Sequence, residues 1–359
     1  MQSLDVKEDE FNPIFSQIKE RYLSSDNFPK LIIGTGLSIA MNVPGMAKLA
    51  EKLEEEFDKC KDVDLTEKWK KYSCKIKSDG LEAALLDIST DEENFVEKIK
   101  HITGIFILEE EYKIHDKILS TYSGFEKLLR YLSNTVSVNN RIIDIMTPNY
   151  DRIIEVICDK LNLTTTLGFS GGLYQKFDES ILQNPYSYFN KNIYVVRIFK
   201  PHGSVNWIKD EDKEYQTNDY ELLKNKKECI DIITPGSMKY KYGMINDIFR
   251  SHRETFNKLI TDNSKSYSLF IYGYGFNDQH FNTVFQNTTK NVLVLTRSIN
   301  HDFLDRAIKN KNWTLFYKCE IGNDEDMDEN VCFMVYEGKK YKLSCDLWDI
   351  DVFTSVFLG

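Results

Sequence analysis

Hydrophobic positions change period along the chain, and the changes mark out its elements. Between Asp9 and Leu23 the residues Phe11, Phe15, Ile18, Tyr22 and Leu23 recur at helical spacing, and Asn27-Phe28-Pro29 breaks the pattern. Leu31-Ile32-Ile33 reads as a short buried strand running straight into Gly34-Thr35-Gly36-Leu37-Ser38, with Pro44-Gly45 and a helical stretch from Met46 to Phe57 beyond it. From about residue 46 to 135 the period is helical almost throughout. Leu81, Ala84, Leu85 and Ile88 form one apolar face there, and Phe125, Leu128, Leu129 and Leu132 another. Strand–helix alternation then resumes. Ile142–Met146 leads into Thr147-Pro148-Asn149-Tyr150-Asp151 and a helix through Ile153, Ile154 and Ile157; Ile193–Phe199 leads into Lys200-Pro201-His202-Gly203-Ser204. Ile230–Thr234 ends in Pro235-Gly236, Ser268–Tyr272 ends in Gly273-Tyr274-Gly275-Phe276-Asn277-Asp278 and a helix, and Val292–Leu295 is a sixth strand. Val331–Tyr336, Glu337-Gly338 and Lys339–Ser344 read as a β-hairpin.

Apolar strands that alternate with helices predict an α/β fold with a parallel sheet covered on both faces. The expected organisation is an N-terminal helix and first strand-loop over residues 1–45, a helical insertion over 46–135, the remainder of the sheet domain over 136–318, and a small C-terminal β appendage over 319–359. In open sheets of this kind ligands sit beyond the carboxyl ends of the strands. The loops 34–38, 147–151, 200–204 and 273–278 are therefore expected to converge on one crevice despite their separation in sequence.

Composition narrows the function classes. The chain has 359 residues, 42% of them hydrophobic, with 22 Phe and 20 Tyr, which is ample for a buried core and excludes wholesale disorder. Its 46 Lys and Arg against 56 Asp and Glu give a formal charge of −10. That balance opposes a surface built to neutralise nucleic-acid phosphates. Lys68, Lys70, Lys71, Lys75 and Lys77, and likewise Lys224, Lys226 and Lys227, read as solvated faces. The apolar runs are far below the ~18–20 residues of a membrane span, and no basic segment with an apolar core marks a secretory signal at the N-terminus. The seven cysteines include no Cys-x-x-Cys pair, as expected of reduced thiols in a cytoplasmic protein.

The candidate chemistry lies in the loops. Gly34-x-Gly36-x-Ser38 between strand and helix can bring backbone amides close to a pyrophosphate, although Ile39 stands where a third glycine would complete the common dinucleotide fingerprint; a tight turn without a ligand is the alternative. Asn149 and Asp151 can cap the following helix, serve catalysis, or do both. His202, at a strand end between Pro201 and Gly203, is either structural or a titrating group in the crevice. Gly273-Tyr274-Gly275 with Asp278 offers amides and an acceptor for ribose hydroxyls, or is a plain capped loop. The acidic run Asp324–Glu329 lacks the glycine of a calcium loop, and no other histidine has a partner at metal-ligand spacing, so no metal is expected.

Taken in order, these loops resemble the sirtuin-like NAD-binding domain. Its Gly-Ala-Gly-x-Ser loop is similar to Gly34-Thr35-Gly36-Leu37-Ser38, its Pro-bearing loop to Val43-Pro44-Gly45, its Thr-x-Asn-x-Asp loop to 147–151, and its His-Gly pair to His202-Gly203. The four-cysteine zinc module of the sirtuin protein deacylases is missing, since the stretch after His202-Gly203 holds only Cys229 before the last strands, and the arginine-containing segment after the Pro loop is not evident. Asn149-Tyr150-Asp151, Lys200–Ser204 and Gly273–Asp278 are instead similar to bacterial sirtuin-like proteins of antiphage defence. Gly168-Phe169-Ser170-Gly171 and Pro235-Gly236-x-x-Lys239-Tyr240 resemble the subgroup that works with a HerA-type hexameric ATPase.

The resemblance implies a Rossmann-like sheet and an enzyme that hydrolyses NAD to nicotinamide and ADP-ribose, depleting the cofactor during infection. NAD is then a substrate. Asn149 and His202 are implied as catalytic, with Asp151 in support. Gly34, Thr35, Gly36, Ser38, Pro44, Tyr150, Gly203, Gly273, Tyr274, Gly275 and Asp278 are implied as NAD-binding. Cleavage passes through an oxocarbenium-like state with a cationic leaving group, so the protein has to hold the ribose, position a water and accept a proton. The amide of Asn149 both donates and accepts, and the imidazole of His202 suits the base. Implied partners are further copies of the chain and a HerA-type ATPase. The alternatives are a sensor or assembly subunit that binds NAD or ADP-ribose without turnover and, third, a protein deacylase.

Overall fold

Strand Pro29–Ile33 shows why the sheet is buried on both sides: Leu31, Ile32 and Ile33 are all fully inaccessible although successive side chains point to opposite faces. The computed structural model describes residues 2–88, 92–136, 141–234, 246–276, 288–321 and 331–359. In chain order its first elements are β1 (Gln2–Leu4), α1 (Asn12–Leu23), β2 (Pro29–Ile33), α2 (Thr35–Ala40), α3 (Met46–Asp58), α4 (Val63–Asp79), α5 (Leu81–Leu85), α6 (Glu93–Ser120) and α7 (Gly124–Thr135). Then come β3 (Ile142–Met146), α8 (Ile153–Lys160), β4 (Thr164–Thr166), β5 (Phe169–Gly171), β6 (Gln175–Phe177), α9 (Glu179–Gln183), β7 (Val195–Phe199), β8 (Gly203–Asp210), β9 (Lys213–Gln216), α10 (Tyr220–Asn225) and β10 (Ile230–Ile232). They are followed by α11 (Asp247–Thr261), β11 (Ser268–Tyr272), β12 (Asn291–Ile299), α12 (His301–Lys309), β13 (Trp313–Glu320), β14 (Cys332–Tyr336), β15 (Lys339–Leu343) and α13 (Ile350–Phe357).

Among the described residues, ten strands form one sheet in the order β1-β15-β14-β13-β12-β11-β2-β3-β7-β4. From β13 to β4 every neighbouring pair is parallel. This is a Rossmann-like α/β architecture. On one face Leu31 and Ile33 pack with Tyr22 of α1, Leu129 of α7, Ile154 of α8 and Phe353 of α13; on the other Ile32 packs with Phe256 of α11 and Phe303 of α12. β2 is the topological switch, with β3 on one side and β11 on the other. The crevice at such a point is where this class of sheet accommodates a ligand.

Two features depart from the pattern along the sequence. Ile230–Thr234, which reads as one more strand of the parallel series, contributes β10 to a second, five-stranded antiparallel sheet, β10-β8-β9-β6-β5. A short apolar run fixes its own burial but not its partner. The C-terminal hairpin β14–β15 extends the main sheet, with β14 antiparallel to β13.

The helical block between β2 and β3 has its own core of Leu53, Phe57, Trp69, Tyr72, Phe95 and Ile99, in which the Phe57 and Trp69 rings stack 4.7 Å apart. Helix α6 leaves that core partway along, and its Ile107, Leu108, Ile114 and Ile118 join the core beneath the sheet. A buried charge row crosses three adjacent strands: Asp144 of β3 accepts from Lys30 of β2 at 2.7 Å and from Arg197 of β7 at 2.7 Å.

Candidate active site

Loops from four neighbouring strands line one cavity of about 160 Å³, roughly ten times the space one water requires. Thr35 and Ser38 follow β2, Pro148-Asn149-Tyr150-Asp151 follow β3, His202 follows β7, and Tyr274 and Gly275 follow β11. Val43-Pro44-Gly45 closes one side. The structure thus brings Thr35, Ser38, Pro44, Asn149, Tyr150, Asp151, His202, Tyr274 and Gly275 to a single cleft. Asp278 lies outside the described residues, as do Pro235-Gly236-x-x-Lys239-Tyr240 and the acidic run Asp324–Glu329.

The glycines Gly34, Gly36, Gly203 and Gly273 stand behind the cleft rather than in its lining. The amide of Gly34 donates to Tyr272 O at 2.8 Å and that of Gly36 to Gly273 O at 2.9 Å. These two amides join the β2 and β11 loops, so they are not presented to a pyrophosphate as the sequence suggested. The approach is close enough to demand glycine: a Cβ on Gly36 would stand 2.5 Å from the Gly273 Cα, and Gly273 itself has a φ of 61°. Gly203, at φ 85°, starts β8 against the backbone of Asp231, and this turn places His202 between the two sheets.

Asn149, Ser38 and Asp151 form a connected set, each at most 6% exposed. The side-chain amide of Asn149 donates to Gly34 O and to Ser38 Oγ, both at 2.9 Å, and the Ser38 hydroxyl donates to Asp151 Oδ2 at 2.6 Å. Asn149 Oδ1 is buried and has no partner among the described residues. Both donors of the amide are therefore committed within the protein, and what remains for a ligand is the acceptor. The other oxygen of Asp151 accepts from the Ile153 amide at 3.2 Å at the start of α8. Burial pushes the Asp151 carboxyl up from its ordinary range, against the opposing charge of Lys200 and the Ser38 hydrogen bond. The phenol of Tyr150 donates to Ile233 O at 2.7 Å, which spends its hydroxyl on the second sheet.

Lys200, fully inaccessible, joins the loops after β3 and β7 from behind. Its ammonium donates to Asp151 O and to Ser204 Oγ, the latter at 3.1 Å, and lies 2.8 Å from Glu155 Oε1. Burial raises the Glu155 carboxyl while the Lys200 charge pulls it back. His252 behind it is a structural histidine: Nδ1 accepts from the Lys200 amide at 3.1 Å, and burial lowers its pKa to about 3.

The pattern along the chain did not single out Met46 and Leu49 of α3 or Ile107 of α6, all of which line the cleft. Nor did it reveal that α6 is tied both to the loop after β3 and to strand β10. Glu111 accepts from Arg152 Nε at 2.8 Å directly after Asp151, and Lys100 lies 3.2 Å from Asp231 behind Gly203. The apolar stripe Leu49–Leu53–Phe57 was readable as a buried helix face, but nothing in it signals a cleft. Among the described residues no group of three or more His, Cys, Asp or Glu is placed to hold a metal ion.

Residues 144–293 match the family model of the SIR2-like domain. The match spans Asn149, Asp151, His202 and the Gly273–Gly275 loop, while the Gly34–Ser38 loop that completes the cleft precedes it. No curated protein matches the chain. A SIR2-like region points to NAD-dependent chemistry. No described helix is long and apolar enough to cross a membrane.

Proposed function

We propose that the chain is an NAD glycohydrolase that releases nicotinamide and ADP-ribose, and that in the cell it depletes NAD in antiphage defence. The observation that carries this reading is the meeting of Asn149 and His202, from loops of adjacent parallel strands, in one cleft within the SIR2-like match. In the proposed reaction the bond between nicotinamide nitrogen and ribose C1′ breaks with its electron pair going to the nicotinamide nitrogen. Water adds to C1′, and His202 takes the proton that this water sheds. Asn149 Oδ1 accepts from a ribose hydroxyl or from that water. Asp151 and Lys200 hold the loop in place from behind.

The adjoining Thr35, Pro44, Tyr274 and Gly275 then form the contact surface for the rest of the dinucleotide, and Asp278 belongs to the same proposal. A deacylase is disfavoured because the chain after His202-Gly203 holds only Cys229 before Cys319, too few thiols for the zinc module of those enzymes. Self-association, a HerA-type ATPase partner and a cytoplasmic site of action complete the reading. Chromatography of NAD incubated with the purified chain tests it, alone and with a HerA-type ATPase. Stoichiometric nicotinamide and ADP-ribose are expected. Binding of NAD without turnover in every condition would leave a sensor or assembly subunit instead.

A further inference from the structure

We infer that Ser38 is a positioning residue that fixes the polarity of Asn149, so that the substrate meets this amide only as a hydrogen-bond acceptor. This rests on the reading that Asn149 contacts the substrate. The hydrogen-bonding sense of the Asn149 amide is fixed by its neighbours. The Gly34 carbonyl carries no proton, so the Asn149 atom 2.9 Å from it must be the amide nitrogen. That nitrogen has a second proton, and Ser38 Oγ, 2.9 Å away, is placed to accept it. Ser38 accepts because its own proton is taken up by Asp151 Oδ2 at 2.6 Å, while Asp151 Oδ1 is held by the Ile153 amide. With both nitrogen protons assigned, the carbonyl oxygen of Asn149 is left buried, without a partner among the described residues, on a residue that lines the cleft.

The chemical consequence is a selection rule. The ligand atom facing Asn149 has to be a donor, a hydroxyl or a water, and a carbonyl or phosphate oxygen there is rejected because two acceptors would meet. A sugar hydroxyl or the attacking water satisfies the rule. Without the Ser38 oxygen one amide proton would lose its partner and the side chain would be held by Gly34 O alone. Ser38 therefore acts through Asn149 and not by touching the substrate.

A double-mutant cycle on nicotinamide release separates this from a structural role or a direct contact. Ser38→Ala is expected to lower release about 10–100-fold in the wild-type background, the size of one lost buried hydrogen bond. In the Asn149→Ala background the same change is expected to cost less than about 3-fold, because the group it orients is gone. An equal loss in both backgrounds would overturn the proposal. A readout independent of turnover keeps it testable if the functional reading fails. In heteronuclear NMR of labelled protein the Asn149 side-chain amide, identified by its loss in Asn149→Ala, is expected to exchange slowly with water and at least about 10-fold faster in Ser38→Ala. Unchanged exchange would overturn the positioning role whether or not NAD is the substrate.

Discussion

Asp144 is flanked by Lys30 and Arg197 on the neighbouring strands, and its titration carries a stability prediction. Burial alone would raise its pKa, but the charges of Arg197 and Lys30 prevail and hold it at about 2 against an ordinary 3.8. The folded state therefore binds fewer protons there than the unfolded chain. The stabilisation is complete above pH ~4 and is lost as the pH falls from there to ~2, and it amounts to on the order of 2 kcal/mol. Urea unfolding at pH 5 and pH 2.5 should show this acid loss in the wild type and a shallower one in Asp144→Asn. The row was not legible in the sequence, because its members are separated by 114 and 53 residues and only the strand order makes them neighbours. Asn149 and His202 were legible because each stands at the end of an obvious apolar strand. The polarity of Asn149 was not, since it depends on a carbonyl from another loop.

At the scale of elements, the loops after β2 and β11 pack backbone to backbone, and the helix α6 braces the loop after β3 and the strand β10. Gly273→Ala places a side chain on a residue at φ 61° and against Gly36. The left-handed backbone alone costs ~1–2 kcal/mol, so chemical denaturation should show a loss of at least that size together with weakened NAD binding. Glu111→Ala leaves the guanidinium of Arg152 buried without its carboxylate, a change that typically costs ~3–5 kcal/mol. Arg152 adjoins Asp151, so this variant should lose nicotinamide release as well as stability, measured on the fraction that remains folded by circular dichroism. The strands β2, β3, β7, β11 and β12 were readable from continuous apolar runs. The antiparallel sheet was not, because its strands are as short as three residues and one of them begins at the left-handed Gly203. The helical period of the block is plain along the sequence, yet its part in the cleft depends on where α6 leaves one core and enters another.

The whole molecule joins a Rossmann-like sheet to a helical block whose longest helix reaches both the sheet core and the cleft. This arrangement ties the block to the end of the loop after β3 through the Glu111–Arg152 pair and to β10 through the Lys100–Asp231 pair. The assembly of the site from loops that are distant in sequence follows from the order of four parallel strands, β11-β2-β3-β7. The cleavage of NAD proposed for this assembled cleft depends on Asn149 and His202. The most direct measurement is the rate of nicotinamide release by the purified chain beside Asn149→Ala and His202→Ala, under conditions in which the wild type is active. Release by the wild type and a fall of ~10²–10⁴-fold in each variant are expected, measured on the fraction of each that remains folded. Undiminished release by either variant, or a wild-type chain that releases no nicotinamide from NAD with or without an ATPase partner, would overturn this reading.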